Sequence, residues 1–328
     1  MKVLISGGAG FIGSTVASAC LDALMTPVII DNLSTGRRQF VRGRIFYEGD
    51  IADGPFVDKI FSEHPDIGAT VHCAALTAVP DSVADPLRYY LENVAKSISF
   101  VAGVVRNGCP RLVFSSSAAI YRPADDFTVD ERSPIAPASP YARGKAMVEA
   151  VLEDASRAYP LSVLSLRYFN PIGADPAMRT GPQADRPSHV LGKLIDAAER
   201  GTPFVLTGTD WPTRDGTGIR DYVHVWDIAR AHVLALRRFD SALPPGGARS
   251  GVINLGTGTG VTVRELVASF EAVLGRPVDV REAPRRPGDS AGTYTRSQRA
   301  TELLGWRATR PVSEGIRDSL RWARRRAD

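Results

Sequence analysis

Short apolar runs alternate with helical rhythms through the first half of the chain. KVLIS (2–6), PVIID (27–31), ATVHCAAL (69–76), RLVFSSSAAIY (111–121) and LSVLSLRYF (161–169) have the length and composition of buried strands. A glycine-rich turn leads from the first run into a helix, and helical periodicity returns at about 54–64, 86–107 and 141–158. Strands alternating with helices predict an α/β fold built on a doubly wound parallel sheet with right-handed crossovers.

The texture changes after Asn170. NPIGADPAMRTGPQADRP is rich in glycine, proline and polar residues, and reads as a boundary or substrate loop. Beyond it come a helix at about 188–200, a short strand PFVLTG, a loop TDWPTRDGTGIRD and a strand with its helix in YVHVWDIARAHVLALRR. The strand GVINLGTG and helices at about 262–274 and 313–326 follow. This organisation predicts two domains: 1–170 around the sheet, with a segment near 221–256 returning to it, and a smaller α/β domain over 171–328.

At 328 residues the chain can bury a sizeable core. Its 44% apolar and 23% charged content describe a soluble globular protein, and no stretch reaches the roughly 20 apolar residues of a membrane span. The first strand begins at Lys2, which predicts that no signal or transit peptide precedes the fold. Cys20, Cys73 and Cys109 are too few and scattered for a disulfide framework or a zinc site, and they suit a reducing cytoplasm. The net charge of +4 (pI near 9.0) gathers in RRRAD, GRRQF and APRRPGD without interleaved aromatics. That pattern points away from nucleic acid and toward local anion sites for phosphate groups.

The glycine turn has a chemistry of its own. Gly7 allows a tight turn, Gly10 lets backbone approach a pyrophosphate, and Gly13 lets the helix pack on the sheet. The helix N-terminus then offers free N–H groups to that pyrophosphate. Asp31, 18 residues after Gly13, stands where a carboxylate takes the two hydroxyls of an adenine ribose, and a 2′-phosphate there meets like charge. The combination predicts a Rossmann-type domain and NAD rather than NADP. Arg37 and Arg38, beyond a loop, could soften that preference.

In SPYARGKAMVEAV (139–151), Tyr141 precedes Lys145 by one helical turn, so phenol and ammonium share a helix face. Taken alone the pair is commonplace. Together with Gly7-x-x-Gly10-x-x-Gly13 and the serine cluster FSSSAAIY, it resembles the extended branch of the short-chain dehydrogenase/reductase superfamily. DNLSTG, EGDI, SVADPLRYYLENV, LRYFNPIGA, DGTGIRDYVHVWDIA, NLGTG and APRRPGD narrow the likeness to the UDP-galactose 4-epimerases, over essentially the whole chain.

That resemblance implies Ser117, Tyr141 and Lys145 as catalytic residues. A tyrosine is a poor base near neutrality, and the ammonium and the nicotinamide ring are expected to lower its pKa. Implied NAD contacts are Gly7, Gly10, Phe11, Ile12, Gly13, Asp31, Asn32, Asp50, Ile51, Ala74, Ala75, Asn93, Ser115, Tyr141, Lys145 and Tyr168. Implied UDP-sugar contacts are Ser117, Phe169, Asn170, His189, Thr207, Arg220, Tyr222, Arg286, Asp289 and Thr293, with arginine forks on the diphosphate. Asp215 and His224 read instead as a turn residue and a satisfied strand-end histidine. No metal is implied.

The implied reaction is reversible inversion at carbon 4 of a UDP-hexose through a 4-keto sugar. The sister 4,6-dehydratases carry an Asp-Glu pair where this chain has Ala118 and Ala119, and a decarboxylase on UDP-glucuronate expects a nearby Glu. A 4-epimerase for UDP-glucuronate or a non-catalytic NAD(H) sensor would share the fold. Departures from the pattern are Thr77 for a usual Lys, Arg122 and Pro123 for a glycine turn, and Thr207 where a uracil-stacking Phe is often found. A small residue at Thr293 implies room for N-acetyl sugars. Apolar residues on more than one face (Val94, Ile98, Phe100, Val101 and Val104; Ala146, Val148, Val151 and Leu152) imply a homodimer joined by two helices from each subunit.

Overall fold

The computed structural model describes residues 1–184, 187–285 and 290–327. The chain begins β1 (Lys2–Ser6), α1 (Phe11–Asp22), β2 (Thr26–Asp31), β3 (Ile45–Glu48), α2 (Gly54–Glu63), β4 (Ile67–His72), α3 (Val79–Ala84) and α4 (Pro86–Tyr90). A π turn (Leu91–Ala95) leads into α5 (Lys96–Arg106), then β5 (Arg111–Ser117), β6 (Thr128–Val129), α6 (Pro140–Ala158), β7 (Ser162–Tyr168) and β8 (Asn170–Ile172). α7 (Val190–Arg200), β9 (Phe204–Thr207), β10 (Ile219–Arg220), β11 (Tyr222–His224), α8 (Val225–Arg237), α9 (Phe239–Ala242) and β12 (Ser250–Leu255) follow. The chain closes with β13 (Val261–Thr262), α10 (Val263–Leu274), β14 (Val280–Ala283), β15 (Gly292–Thr295), α11 (Arg299–Leu304) and α12 (Val312–Ala327).

Seven strands form one parallel sheet in the order β12-β7-β5-β4-β1-β2-β3. The order reverses between β1 and β4, which opens a crevice at the carboxyl ends of these strands. Alternation along β1 sends Val3 and Ile5 to one face and Leu4 to the other. The first face is covered by α1 and α8 through Val16, Cys20, Ile228 and Val233. The second is covered by α2, α5 and α6 through Val57, Ile60, Phe100, Val104, Val148 and Leu152. Each fully buried apolar side chain of this kind contributes roughly 1.5–3 kcal/mol.

A separate cluster of Leu191, Leu194, Phe204, Tyr222, Phe270, Ile316 and Leu320 organises the elements beyond β8. Around it lie a four-stranded sheet, β13-β10-β15-β6, and the two-stranded pairs β8–β11 and β9–β14.

Three features depart from the hydrophobic pattern. β3, the short run IFYE, is not among the expected strands; it lies at the sheet edge and none of its four residues is fully buried. The strand expected over 111–121 ends at Ser117, whose Oγ accepts from the Ala119 N–H at 3.2 Å and caps a short 3₁₀ turn. The helix expected at 86–107 is interrupted by the π turn, an irregularity that often marks a functional site. Among the described residues no helix is long and apolar enough to cross a membrane, and no group of His, Cys, Asp and Glu could hold a metal ion.

Candidate active site

The glycine turn sits at the carboxyl end of β1. Gly7 has φ +69°, and a Cβ there would lie 2.6 Å from the Ala74 backbone nitrogen. At Gly13 a Cβ would lie 2.2 Å from the Gly7 carbonyl, so α1 could not close on the turn. The Gly10 N–H donates to the Gly7 carbonyl at 3.1 Å, and α1 then begins at Phe11 with no side chain capping it. The first-turn N–H groups of Phe11, Ile12 and Gly13 therefore present the positive end of a 12-residue helix. Backbone shaped so closely that a methyl group has no space, at an uncapped helix start, fits a dinucleotide pyrophosphate.

Asp31 ends β2 and is 8% exposed. Its two carboxylate oxygens accept from Ala9 N–H at 2.9 Å and Leu33 N–H at 2.8 Å. Burial raises its pKa, and those two N–H bonds pull it back. Asn32 Nδ2 reaches the Asp50 carboxylate at 3.4 Å, which also accepts from Lys96 Nζ at 2.6 Å and Ala52 N–H at 2.9 Å. Burial works against the Asp50 charge, but the Lys96 bond and its neighbours hold that pKa below the usual value. Ile51 is buried beside it. Arg38 is paired with Glu48, and Arg37 donates to the Gln183 carbonyl at 3.0 Å, so both are tied into protein structure.

On the far side of the crevice, Ala74 and Ala75 follow β4 half-buried. Asn93, inside the π turn and 4% exposed, takes the Leu76 N–H at 2.8 Å and donates to the Leu76 carbonyl at 2.9 Å. It thereby fixes the loop that carries the two alanines. His72 is also buried: its Nδ1 lies 2.6 Å from Ser6 Oγ and its Nε2 2.8 Å from Ser97 Oγ. Since Ser97 Oγ donates to the Asn93 carbonyl, Nε2 is the protonated nitrogen. Burial pushes the His72 pKa down to about 3.

α6 begins with Ser139, whose Oγ accepts from Ala142 N–H at 3.2 Å, and Pro140. Tyr141 and Lys145 then stand one turn apart. The Tyr141 phenol stands beside the Ser117 side chain, which works to lower its pKa. Lys145 is 5% exposed, donates to the Ser115 carbonyl at 2.7 Å and lies 4.8 Å over the Phe114 ring. Burial lowers its pKa to about 8, against the opposing pull of Cys73 and Glu149. Ser115 Oγ meets Cys73 Sγ at 3.0 Å, and Ser117 and Tyr168 are register partners across β5 and β7. The protein alone does not produce the expected lowering of the Tyr141 pKa, which called on the nicotinamide ring as well as the ammonium. Burial raises the phenol, Ser117 opposes that, and the ammonium is turned toward Ser115.

The expected sugar-binding residues are distributed around β8, β10 and β15. Phe169 is buried and Asn170 half-buried, with the Asn170 N–H donating to the Asp221 carbonyl at 2.9 Å. The Arg220 guanidinium donates to the Ala291 carbonyl at 2.8 Å and the Ser290 carbonyl at 3.1 Å, and Arg220 pairs in register with Thr293. Thr207 ends β9 opposite Ala283, while His189 Nδ1 caps α7 by accepting from Gly192 N–H at 3.1 Å. Tyr222 is 2% exposed and packs in the second core, where its buried hydroxyl has no hydrogen-bond partner among the described residues. Arg286 and Asp289 lie outside the described residues. Asp215 is a turn residue accepting from Thr217 and Thr262, and His224 caps α8 by accepting from Trp226 N–H at 3.0 Å.

Several residues near the site have no counterpart among those expected. Asp221, buried, accepts from Thr257 and Gly258 and from Thr295 N–H at 3.3 Å, joining the NLGTG loop to β15. Glu149 holds Arg167 Nε at 2.9 and 3.2 Å and also Ser116 Oγ; Arg167 donates to Tyr121 Oη at 2.7 Å. The helical spacing from Lys145 to Glu149 was the available signal for the second group.

A family model described as NAD dependent epimerase/dehydratase matches residues 3–256. The chain belongs to that family. Among members of the NAD dependent epimerase/dehydratase family, it is 41% identical to a UDP-glucose 4-epimerase of Azospirillum brasilense, over 98% of this chain and 92% of that protein. It is 39% identical to a UDP-glucose 4-epimerase of Bacillus subtilis, over 98% and 96%. A solved UDP-glucose-4-epimerase of Stenotrophomonas maltophila, with bound NAD and formylated UDP-arabinopyranose, superposes with a TM-score of 0.93 at 36% identity over all of both chains.

Proposed function

We propose that this chain is an NAD-dependent epimerase that inverts carbon 4 of a UDP-hexose, interconverting UDP-glucose and UDP-galactose. The observation that carries the reading is the buried Lys145 ammonium held on the Ser115 carbonyl one helical turn from Tyr141, with Ser117 beside the phenol, at the carboxyl end of a sheet whose first turn fits a pyrophosphate. Full-length likeness to UDP-glucose 4-epimerases supports it.

Gly7, Gly10 and the first turn of α1 would hold the pyrophosphate of NAD, Asp31 the adenine ribose, and Tyr141 and Lys145 the nicotinamide end. Bound NAD supplies a hydride acceptor and donor for carbon 4. Tyr141 removes the proton of the 4-hydroxyl and later returns one, so the sugar is a ketone at carbon 4 between the two transfers. Ser117 orients the hydroxyl by hydrogen bonding. Lys145, charged below a pH of about 8, favours the phenolate once the cofactor's positive ring is also present. Ala118 and Ala119 offer no acid or base for dehydration.

In this reading 1–170, with 221–256, holds the cofactor, and the remainder holds the UDP-sugar through Asn170, Arg220, Arg286 and Asp289. Thr293 leaves space at the hexose end, so N-acetyl sugars are substrates as well. The protein is a homodimer. Phe100, Val101, Val104, Val148 and Leu152 are buried in their own core, so the surface that supports pairing consists instead of Leu87 at 73% exposed, Leu91 at 63%, Ile98 at 45% and Met147 at 46%. The free cysteines suit a cytoplasmic location.

The test is incubation of purified protein with a panel of UDP- and TDP-sugars, separating the epimers. Conversion of UDP-galactose to UDP-glucose is expected. A protein that binds NAD but converts no sugar on the panel would count as a sensor and not an enzyme.

A further inference from the structure

Three successive serines at the end of β5 engage three successive turns of α6. Ser117 stands beside Tyr141, the Ser115 carbonyl takes Lys145 Nζ, and Ser116 Oγ donates to Glu149. Tyr141, Lys145 and Glu149 fall four residues apart, on one helix face. The first two are accounted for by the proposed proton transfer, and Glu149 is not.

Glu149 does more than hold Ser116. It grips the Arg167 guanidinium with both carboxylate oxygens, at 2.9 and 3.2 Å from Nε, and the two side chains are 13% and 7% exposed. Arg167 directly precedes Tyr168 and Phe169, and its Nη1 donates to Tyr121 Oη at 2.7 Å. Tyr121 ends the short turn that leaves Ser117, and its hydroxyl donates to Asn254 Oδ1 at 2.7 Å. One carboxylate thus ties α6, β5 and β7 together, and through Tyr121 reaches β12, all at the carboxyl ends of the strands. A surface ion pair of this kind would matter little. A nearly buried, bidentate and further hydrogen-bonded one is geometrically demanding, and loss of one partner strands the other's charge.

The charged and titratable groups around Lys145 are few. Cys73 and His72 face it from the end of β4, β5 offers the Phe114 ring and the Ser115 carbonyl, and Tyr141 and Glu149 stand on its own helix. Cys73 is itself pushed up to about 11 by burial, so it is a neutral thiol near neutrality. Glu149, shared with the Arg167 guanidinium on β7, is the one carboxylate among these groups and offsets part of the cost of burying the ammonium.

We infer that Glu149 is a positioning residue for the Tyr141–Lys145 pair: it locks their helix onto the serine strand and acts as the countercharge to the Lys145 ammonium. The inference rests on the epimerase reading for its kinetic consequence, but not for its electrostatic one.

The test uses Glu149→Gln, Glu149→Asp and the double variant Glu149→Gln/Arg167→Met as full-length protein. The chain has five lysines, Lys2, Lys59, Lys96, Lys145 and Lys193, so ¹³C-lysine labelling gives a readable NMR titration. In wild type Lys145 titrates at about 8. In Glu149→Gln its midpoint moves to lower pH, and kcat falls by up to ~100-fold with KM little changed, as expected of a misplaced catalytic pair. Glu149→Asp keeps the charge but is one methylene shorter. It holds the midpoint near wild type while kcat still falls. Should Glu149→Gln fail to fold, the double variant, which buries no unpaired arginine, still lowers the midpoint, by less than Glu149→Gln because a cation leaves with the anion. A folded Glu149→Gln with an unmoved Lys145 titration and wild-type kcat overturns the inference. Wild-type protein that turns over no UDP-sugar overturns the functional reading instead, and leaves the Lys145 titration to decide this one.

Discussion

Lys145 Nζ donates to the Ser115 carbonyl across 2.7 Å, a bond that fixes a buried ammonium to the end of the strand that also carries Ser117. The phenol stands one turn earlier, with the Ser117 side chain beside it. Helix and strand therefore meet at the point where a proton has to move. Tyr141→Phe keeps the ring and removes the transferable proton. It is expected to lower kcat by roughly 10²–10⁴-fold, the usual contribution of one acid–base group, and to leave NAD retention unchanged. Stopped turnover assays with parallel measurement of bound nicotinamide check both halves. A variant retaining most of its turnover would remove Tyr141 from the mechanism.

Asp31 faces two tasks, since the carboxylate that is placed for the adenine ribose also caps Ala9 and Leu33. Asp31→Ala is expected to reduce the NAD carried through purification and to relax discrimination against NADP. Arg38 is committed to Glu48, so it does not replace the lost selectivity. Unchanged NAD occupancy in the purified variant would contradict this placement.

Acid sensitivity follows from buried histidines. His72 is held at about 3 and His232 at about 4, both by burial, against about 6.5 in an unfolded chain. Between those folded values and 6.5 the unfolded chain binds more protons. The stabilising contribution is thus fully present above 6.5 and is lost as pH falls toward 4, at up to ~1.4 kcal/mol per pH unit for each histidine. Urea midpoints measured from pH 7 down to 4.5 should decline, and His72→Gln should decline less steeply than wild type. Equal slopes would show that His72 is not the titrating group.

Much of this was readable in the sequence, for reasons that also explain the rest. The alternation of strands and helices and the Tyr141–Lys145 face follow from short apolar runs and the helical period of 3.6. Glu149 keeps the same helical period as that pair, yet a glutamate on a helix ordinarily faces solvent, and its burial depends on Arg167 arriving from β7. Asn93 was expected at the cofactor, whereas the π turn that aims it at Leu76 has no sequence period. Tyr222 was expected at the sugar only through the family resemblance; in the structure it packs in the second core, beyond the break between β10 and β11 at Asp221.

Thr293 lies beside Arg220 on the paired strands β10 and β15. If it closes the hexose end of the pocket, Thr293→Tyr abolishes turnover of UDP-N-acetylglucosamine and spares UDP-glucose. A wall excludes by clash, whereas a spare methylene-sized gap separates substrates by only ~1–3 kcal/mol. Wild-type protein that epimerises UDP-glucose but not the N-acetyl sugar would place the wall elsewhere.

Leu87 and Leu91 are among the most exposed large apolar side chains of the fold, and they lie on consecutive turns of one helical segment. Leu91→Glu is expected to convert a dimer to a monomer in light scattering at micromolar concentration, without unfolding the chain. A wild type that is already monomeric would refute the pairing.

The most direct test of the central claim follows the hydrogen on carbon 4. UDP-galactose deuterated at that carbon is incubated in ordinary water with purified protein and no added NAD, and the UDP-glucose formed is examined by NMR. The account predicts full retention of deuterium at carbon 4 in the product, because the hydrogen leaves and returns as hydride within one closed site. Product carrying solvent hydrogen at carbon 4, or no product from protein shown to contain NAD, would contradict it.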